Sequence, residues 1–310
     1  MTRILAAAFL LASTAAAQAH GLAFVINSRS ASVSVLDMST GAELRRIPAL
    51  REPHHWALSP DGNSLLIGDS AGNQLLFLNP ATGEVQRRLP CADPYQLGFS
   101  PNGKFLVVNG LARNQVDVYD AASYTLIKRF PLSSMPSHLA YAPDSSLVYV
   151  SLQGTDKLAA IDLTKMAVVW VQPVGKTPAG VLWLNGRVLV ADMGEDGLSV
   201  VDPVDGRVER RVRTGTGAHQ LFLSPDGRML WVNNRVEGTT AALDPATLDV
   251  RRTYAISGGP DDISFAPNGD LWITQRFAEE VAVLDPRTGA LKHYPVGRSP
   301  HGIFLNASGE

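Results

Sequence analysis

Residues 218–245 read Ala-His-Gln-Leu-Phe-Leu, Ser-Pro-Asp-Gly, Arg-Met-Leu-Trp-Val-Asn-Asn, Arg-Val-Glu-Gly, Thr-Thr-Ala-Ala-Leu-Asp-Pro. Leu221 and Leu223, then Leu230 and Val232, set apolar side chains at alternate positions, the period-two pattern of half-buried strands. Between them, Ser224-Pro225-Asp226-Gly227 is a hairpin turn, because Pro fixes φ at the first corner and Gly accepts a positive φ at a later one. A second turn, Asp244-Pro245-Ala246-Thr247, leads into a fourth strand, Val250 to Tyr254. The stretch therefore predicts a four-stranded antiparallel meander.

Versions of this unit recur. The residue that closes the third strand falls at Asp37, Asn79, Asp120, Asp162, Asp202, Asp244 and Asp285, in steps of 40 to 42 residues. The first hairpin recurs at Ser59 to Gly62, Ser100 to Gly103, Ala142 to Ser145, the shortened Leu184-Asn185-Gly186, and Ala266 to Gly269. A fixed period near 40 with four strands per repeat is the signature of propeller blades, and the spacing predicts an all-β, seven-bladed propeller. The N-terminal part supplies three strands (Leu22 to Ile26, Ser32 to Leu36, Glu43 to Ile47), whereas the C-terminus supplies a first strand alone, His301 to Leu305. Pairing His301 to Leu305 with Leu22 to Ile26 completes the seventh blade and removes the open edges of the stack.

Met1 to Ala19 carry one Arg, an apolar run from Ile4 to Ala12 and the small-residue site Ala17-Gln18-Ala19, the layout of a signal peptide cleaved after Ala19. The expected mature protein is periplasmic or secreted, not inserted in a membrane, and monomeric, with His20 to Glu310 forming one propeller domain. His20 would head that chain; an N-terminal His can bind copper, but its place there reads as coincidence after a signal peptidase site. Charged residues make up 18% and the net charge is −2, which argues against nucleic acid or anionic membranes as the main partner. Cys91 stands alone and can form no internal disulfide. The chain has no Cys-x-x-Cys-His haem attachment, no Gly-x-Ser-x-Gly elbow and no Walker loop.

Aligning the seven first strands, which line the channel of a propeller, places His54-His55, Tyr95-Gln96, Ser137-His138, Ala179-Gly180, His219-Gln220, Asp261-Asp262 and His301-Gly302 around one rim. Five of the seven histidines fall there. Because neighbours on a strand point to opposite faces, at most one of His54 and His55 is expected in the channel. Loops after the second strands add Arg29, Arg113, Arg235 and Arg276 to the same face. Imidazoles can hold a divalent transition metal, with His55, His138, His219 and His301 as the expected ligands, and His with Arg can hold an anion. The candidate ligand-binding set is His54, His55, Tyr95, His138, His219, Asp262, His301, Arg113, Arg235 and Arg276. The plain alternative is that these residues only satisfy strand ends in a wet channel mouth. The Asp61, Asn102, Asp144, Asp226 and Asn268 series lies on the opposite face and is explained by the turns.

The second strands Phe24-Val25-Ile26-Asn27, Leu106-Val107-Val108-Asn109, Val148-Tyr149-Val150-Ser151 and Leu230-Trp231-Val232-Asn233, with the recurring Ser-Pro-Asp-Gly, resemble the YVTN repeat β-propeller family, above all its periplasmic YncE-like members. The resemblance spans all seven units. It implies the propeller fold and, from the broad class, a site at the channel mouth that in different members holds haem, a copper cluster or a lactone. Nucleic acid binding, also implied by YncE-like members, runs against the charge. The expected function is that of an exported binding protein or scaffold that engages a small ligand, a metal or a protein partner at the mouth and performs no chemistry. The alternative is a metal-dependent, lactonase-like hydrolase in which rim histidines with Asp192, Asp261 or Asp262 hold a cation that activates water.

Overall fold

The computed structural model describes residues 21–49 and 51–306; the expected signal peptide, its cleavage site and His20 lie outside them. The described residues form seven four-stranded antiparallel sheets. We number the blades from residues 53–90 (blade 1) through 96–131, 136–173, 178–213, 218–255 and 260–295 (blade 6). In blade 7 the strand Pro300–Asn306 joins Leu22–Asn27, Ser32–Asp37 and Glu43–Pro48. Its register pairs Leu22 with Asn306 and Val25 with Ile303, so the two ends of the chain latch one sheet as the sequence predicts.

The turns follow the residues that specify them. In blade 5, Ser224 Oγ donates to Asp226 Oδ1 at 2.6 Å and accepts from Met229 N at 3.0 Å. Blade 4 replaces this loop by Asn185 and Gly186 at φ 49° and 76°, both left-handed, as a two-residue hairpin requires. The Asp37 series caps the turn after the third strand: Asp37 Oδ1 accepts from Ser39 N at 2.7 Å, and Asp244 Oδ1 from Ala246 N at 2.8 Å.

The core lies between blades rather than at the centre. Seven apolar clusters each join two neighbours; Leu189, Leu198, Leu221, Val232 and Leu243, for example, weld blade 4 to blade 5. Second and third strands are almost wholly buried, whereas outermost strands such as Val85–Pro90 face water with four consecutive exposed residues. Cys91 is buried in the cluster between blades 1 and 2, its Sγ 3.5 Å from Tyr119 Oη; burial pushes its thiol up to about 11. Innermost strands therefore touch one another around a channel, and their polar residues have nowhere else to point. Among the described residues no helix is long and apolar enough to cross a membrane.

Candidate functional site

In six of the seven blades the rim is built by a repeated irregularity. In blade 1, Pro53 pairs with Asp69 and Trp56 with Ile67, so His54 and His55 together oppose a single residue. Ser137-His138, Ala179-Gly180, Asp261-Asp262 and His301-Gly302 show the same register shift, and in blade 5 His219 is the extra residue. Such a bulge breaks strict alternation and re-aims the side chains at it. This corrects the expectation that at most one of His54 and His55 reaches the channel. The His301 ring centre lies 5.0 Å from that of His54 and 4.4 Å from that of His55. Gly302 is required beside them, since a Cβ there would meet His54 O at 2.9 Å.

The rings of His54, His55, Tyr95, His138, His219 and His301 form one cluster with neighbouring centres 4.4 to 6.2 Å apart, mostly edge to face. Asp261, 1% exposed, anchors its far side. Oδ1 of Asp261 accepts from Arg235 at 2.5 Å and Oδ2 from Arg276 at 3.2 Å. Burial alone would raise the Asp261 carboxyl, but the charge of Arg235 and its neighbours holds it well below the usual carboxylate range. Burial first, and Arg235 second, lowers His219 to about 4; burial also keeps His55, His138 and His301 well below their ordinary value. At neutral pH His55, His138, His219 and His301 are neutral imidazoles around an ionised Asp261.

Several nitrogens here have no hydrogen-bond partner: His55 Nε2, His138 Nε2, His219 Nδ1, His301 Nδ1 and Arg235 Nε. His219 Nδ1 lies 2.9 Å from Asp261 Oδ1, but out of line for a hydrogen bond. Buried polar atoms are normally satisfied, so five unpartnered nitrogens in one cluster set this region apart.

Above the cluster opens a cavity of about 470 Å3, lined among others by Glu52, His54, Asn73, Asp93, Tyr95, Arg113, Arg235 and Arg276. It lies on the face predicted from the loops after the second strands. His54 is held loosely, with Nδ1 3.4 Å from Ser28 Oγ and Nε2 3.4 Å from Glu52 Oε1. Arg113 donates to Asn73 Oδ1 at 3.0 Å.

Not every predicted residue arrives. Asp262 turns away from the mouth: its Oδ1 accepts from Ile263 N at 2.9 Å and its Oδ2 from Ile303 N at 3.1 Å, tying blade 6 to blade 7, and burial pushes its carboxyl up to about 8. Asp261, its neighbour, takes the channel position. Asp192 bonds Gly175 N, Ser199 Oγ and Arg211 within its surroundings and also stays out of the channel. The expected metal set is gathered but not formed: among the described residues no group of three or more His, Cys, Asp or Glu side chains could hold a metal ion. Ser137 occupies His138 Nδ1 and Arg235 occupies His219 Nε2, and the two guanidiniums repel a cation. Glu52 and Asp93 were not foreseen; both precede a first strand, and only their places two residues before His54 and Tyr95 signal them.

Comparison with known proteins agrees with this fold. Protein NirF of Pseudomonas aeruginosa is 25% identical over 308 residues, covering 92% of this chain and 69% of its own length. The dihydro-heme d1 dehydrogenase NirN, solved in complex with DHE, is 15% identical, with a TM-score of 0.70 over 94% of this chain and 76% of that one. The periplasmic gluconolactonase PpgL of Pseudomonas aeruginosa is 19% identical, with a TM-score of 0.74 over 93% and 99%. These two structures share the fold, on which unrelated sites are built. The profile of the YNCE-like beta-propellers matches residues 2–308, and with seven repeats latched by both chain ends this chain belongs to the YNCE-like beta-propeller family.

Proposed function

We propose that the chain is a small-molecule-binding propeller whose ligand enters the channel mouth and rests on His54 and Tyr95, with Arg113 and Arg276 offering hydrogen bonds at its rim. The observation that carries this reading is the 470 Å3 cavity set directly over buried imidazoles with unpaired nitrogens. That size lies within the roughly 300 to 1,000 Å3 typical of small-ligand pockets. His54 is the one imidazole of the cluster that lines the cavity, so a ligand meets it before the deeper rings. The dihydro-heme d1 chemistry in the name of the NirN neighbour makes a tetrapyrrole the first probe. The propeller works outside the cytoplasm as a single domain, a reading supported by the Met1 to Ala19 segment and by a periplasmic lactonase of the same fold.

Titration of the purified chain with ferric protoporphyrin IX tests the proposal. Saturable binding that weakens at least tenfold in both His54→Ala and Arg276→Ala is expected. Absent binding, or binding indifferent to both changes, rejects it. Hydrolysis of a gluconolactone that depends on added divalent cation would instead favour the metal-dependent hydrolase, which the guanidinium-capped cluster opposes.

A further inference from the structure

A second cavity, of about 300 Å3, opens on the mouth side between blades 6 and 7. Its walls are Arg29, Arg276, Phe277, Glu279, Arg298 and Ser299, and it shares Arg276 with the mouth. The loops that carry it are fixed to each other: Ser28 N donates to Ser299 O at 3.0 Å, and Arg298 N to Ser30 Oγ at 2.7 Å. Arg29 and Arg298 thus converge from loops about 270 residues apart in sequence.

The two cavities differ in charge. In the mouth, Glu52 and Asp93 share the wall with Arg113, while Asp261 engages both Arg235 and Arg276. In the second cavity, the guanidiniums of Arg29 and Arg298 make no ion pair or hydrogen bond among the described residues, and Glu279 is the one carboxylate in the wall. Two guanidiniums that line one cavity repel each other unless an anion lies between them, and their planar forks suit an oxyanion. Phe277 is 69% exposed beside them, an aromatic face offered to something flat. The field of Arg29 also reaches the mouth: the Glu52 carboxyl is held below its ordinary value first by His54 and then also by the charges of Arg276 and Arg29.

We propose that this cavity is an oxyanion subsite continuous with the mouth. The ligand then has a flat body, spread from His54 towards Phe277, and an anionic arm, carboxylate or phosphate, gripped by Arg29 and Arg298. The inference rests on the mouth-binding reading and gives its ligand a chemical class.

Two probe pairs test it: protoporphyrin IX against its dimethyl ester, and riboflavin 5′-phosphate against riboflavin. Each is titrated into the wild-type chain and into the double variant Arg29→Gln/Arg298→Gln, whose fold is checked by its melting temperature. The expected result is that the charged member of at least one pair binds the wild type at least tenfold more tightly than its neutral partner. The double variant should lose that preference and bind the neutral partner unchanged. The responding pair tells carboxylate from phosphate. Retention of the preference in the variant, or its absence from both pairs in the wild type, overturns the subsite and leaves the mouth reading standing. Failure of all four probes to bind overturns both.

Discussion

The two ends of the channel carry polar residues in equal regularity and use them in opposite ways. On the hairpin side, Asp61, Asn102 and Asp226 are satisfied within their own turns: Ser59 Oγ on Asp61 Oδ1 at 2.6 Å, Ser100 Oγ on Asn102 Oδ1 at 2.8 Å, Ser224 Oγ on Asp226 Oδ1 at 2.6 Å. On the mouth side, partners come from other blades. Asp261 of blade 6 meets Arg235 of blade 5 and lies 3.8 Å from His301 Nδ1 of blade 7, and buried nitrogens are left over. In these turns the local chemistry closes on itself. Chemistry assembled across blades is held in place by the ring, and can therefore afford unpaired atoms.

The largest effect follows from breaking the ring. Removing residues 300–310 takes away the strand paired with Leu22–Asn27 and the apolar contacts of Ile303 and Leu305. The truncated chain is expected to lose its cooperative unfolding transition in calorimetry; a sharp melt at the original temperature would show that the mouth does not depend on closure.

Next comes Asp261→Asn, which leaves Arg235 and Arg276 facing each other without their carboxylate. Breaking a buried pair from one side costs about 3 kcal/mol or more, readable as a lowered urea midpoint, and the loss should fall with added salt. An unchanged midpoint would mean that the mouth is no more coupled than the turns.

Acidity separates the two regions further. Since His219 titrates near 4 when folded but at its ordinary 6.5 when unfolded, the unfolded chain binds the extra proton between these values. Stability therefore falls as pH drops through that window. Asp262 acts in the opposite sense: folded, it keeps its proton up to about 8, whereas unfolded it ionises near 3.8, so stability falls as pH rises between them. Melting curves from pH 4 to 8 should lose part of the acid limb in His219→Gln and part of the alkaline limb in Asp262→Asn. Limbs that do not move would place the titrations elsewhere.

The smallest effect belongs to the hairpin side. Ser224→Ala removes the hydroxyl that joins Asp226 to Met229 N and should cost about 1 kcal/mol, with ligand binding at the mouth unchanged. A change in binding would join the two faces that the structure keeps apart.

Much of the scaffold was legible because its signals are local. Alternation in Leu221, Leu223, Leu230 and Val232 marks strands, Pro and Gly mark turns, and the 40 to 42 residue step counts the blades. Even the latch of 300–306 on Leu22–Asn27 follows from an incomplete first repeat and an incomplete last one. The mouth was legible only as a column. The histidines could be aligned to one rim, but period-two alternation places adjacent residues on opposite faces, and the bulge at 54–55 overrides it.

What the amino-acid order alone determined is therefore the ring: strand, turn and repeat are written within windows of about ten residues, over which the backbone has few choices. The tertiary structure decided which of Asp261 and Asp262 faces the channel, that Arg235 and Arg276 close on the former, and that Arg29 and Arg298 line one cavity. Those outcomes depend on register across strands and on neighbours tens to hundreds of residues away. No local preference encodes them until the blades have packed.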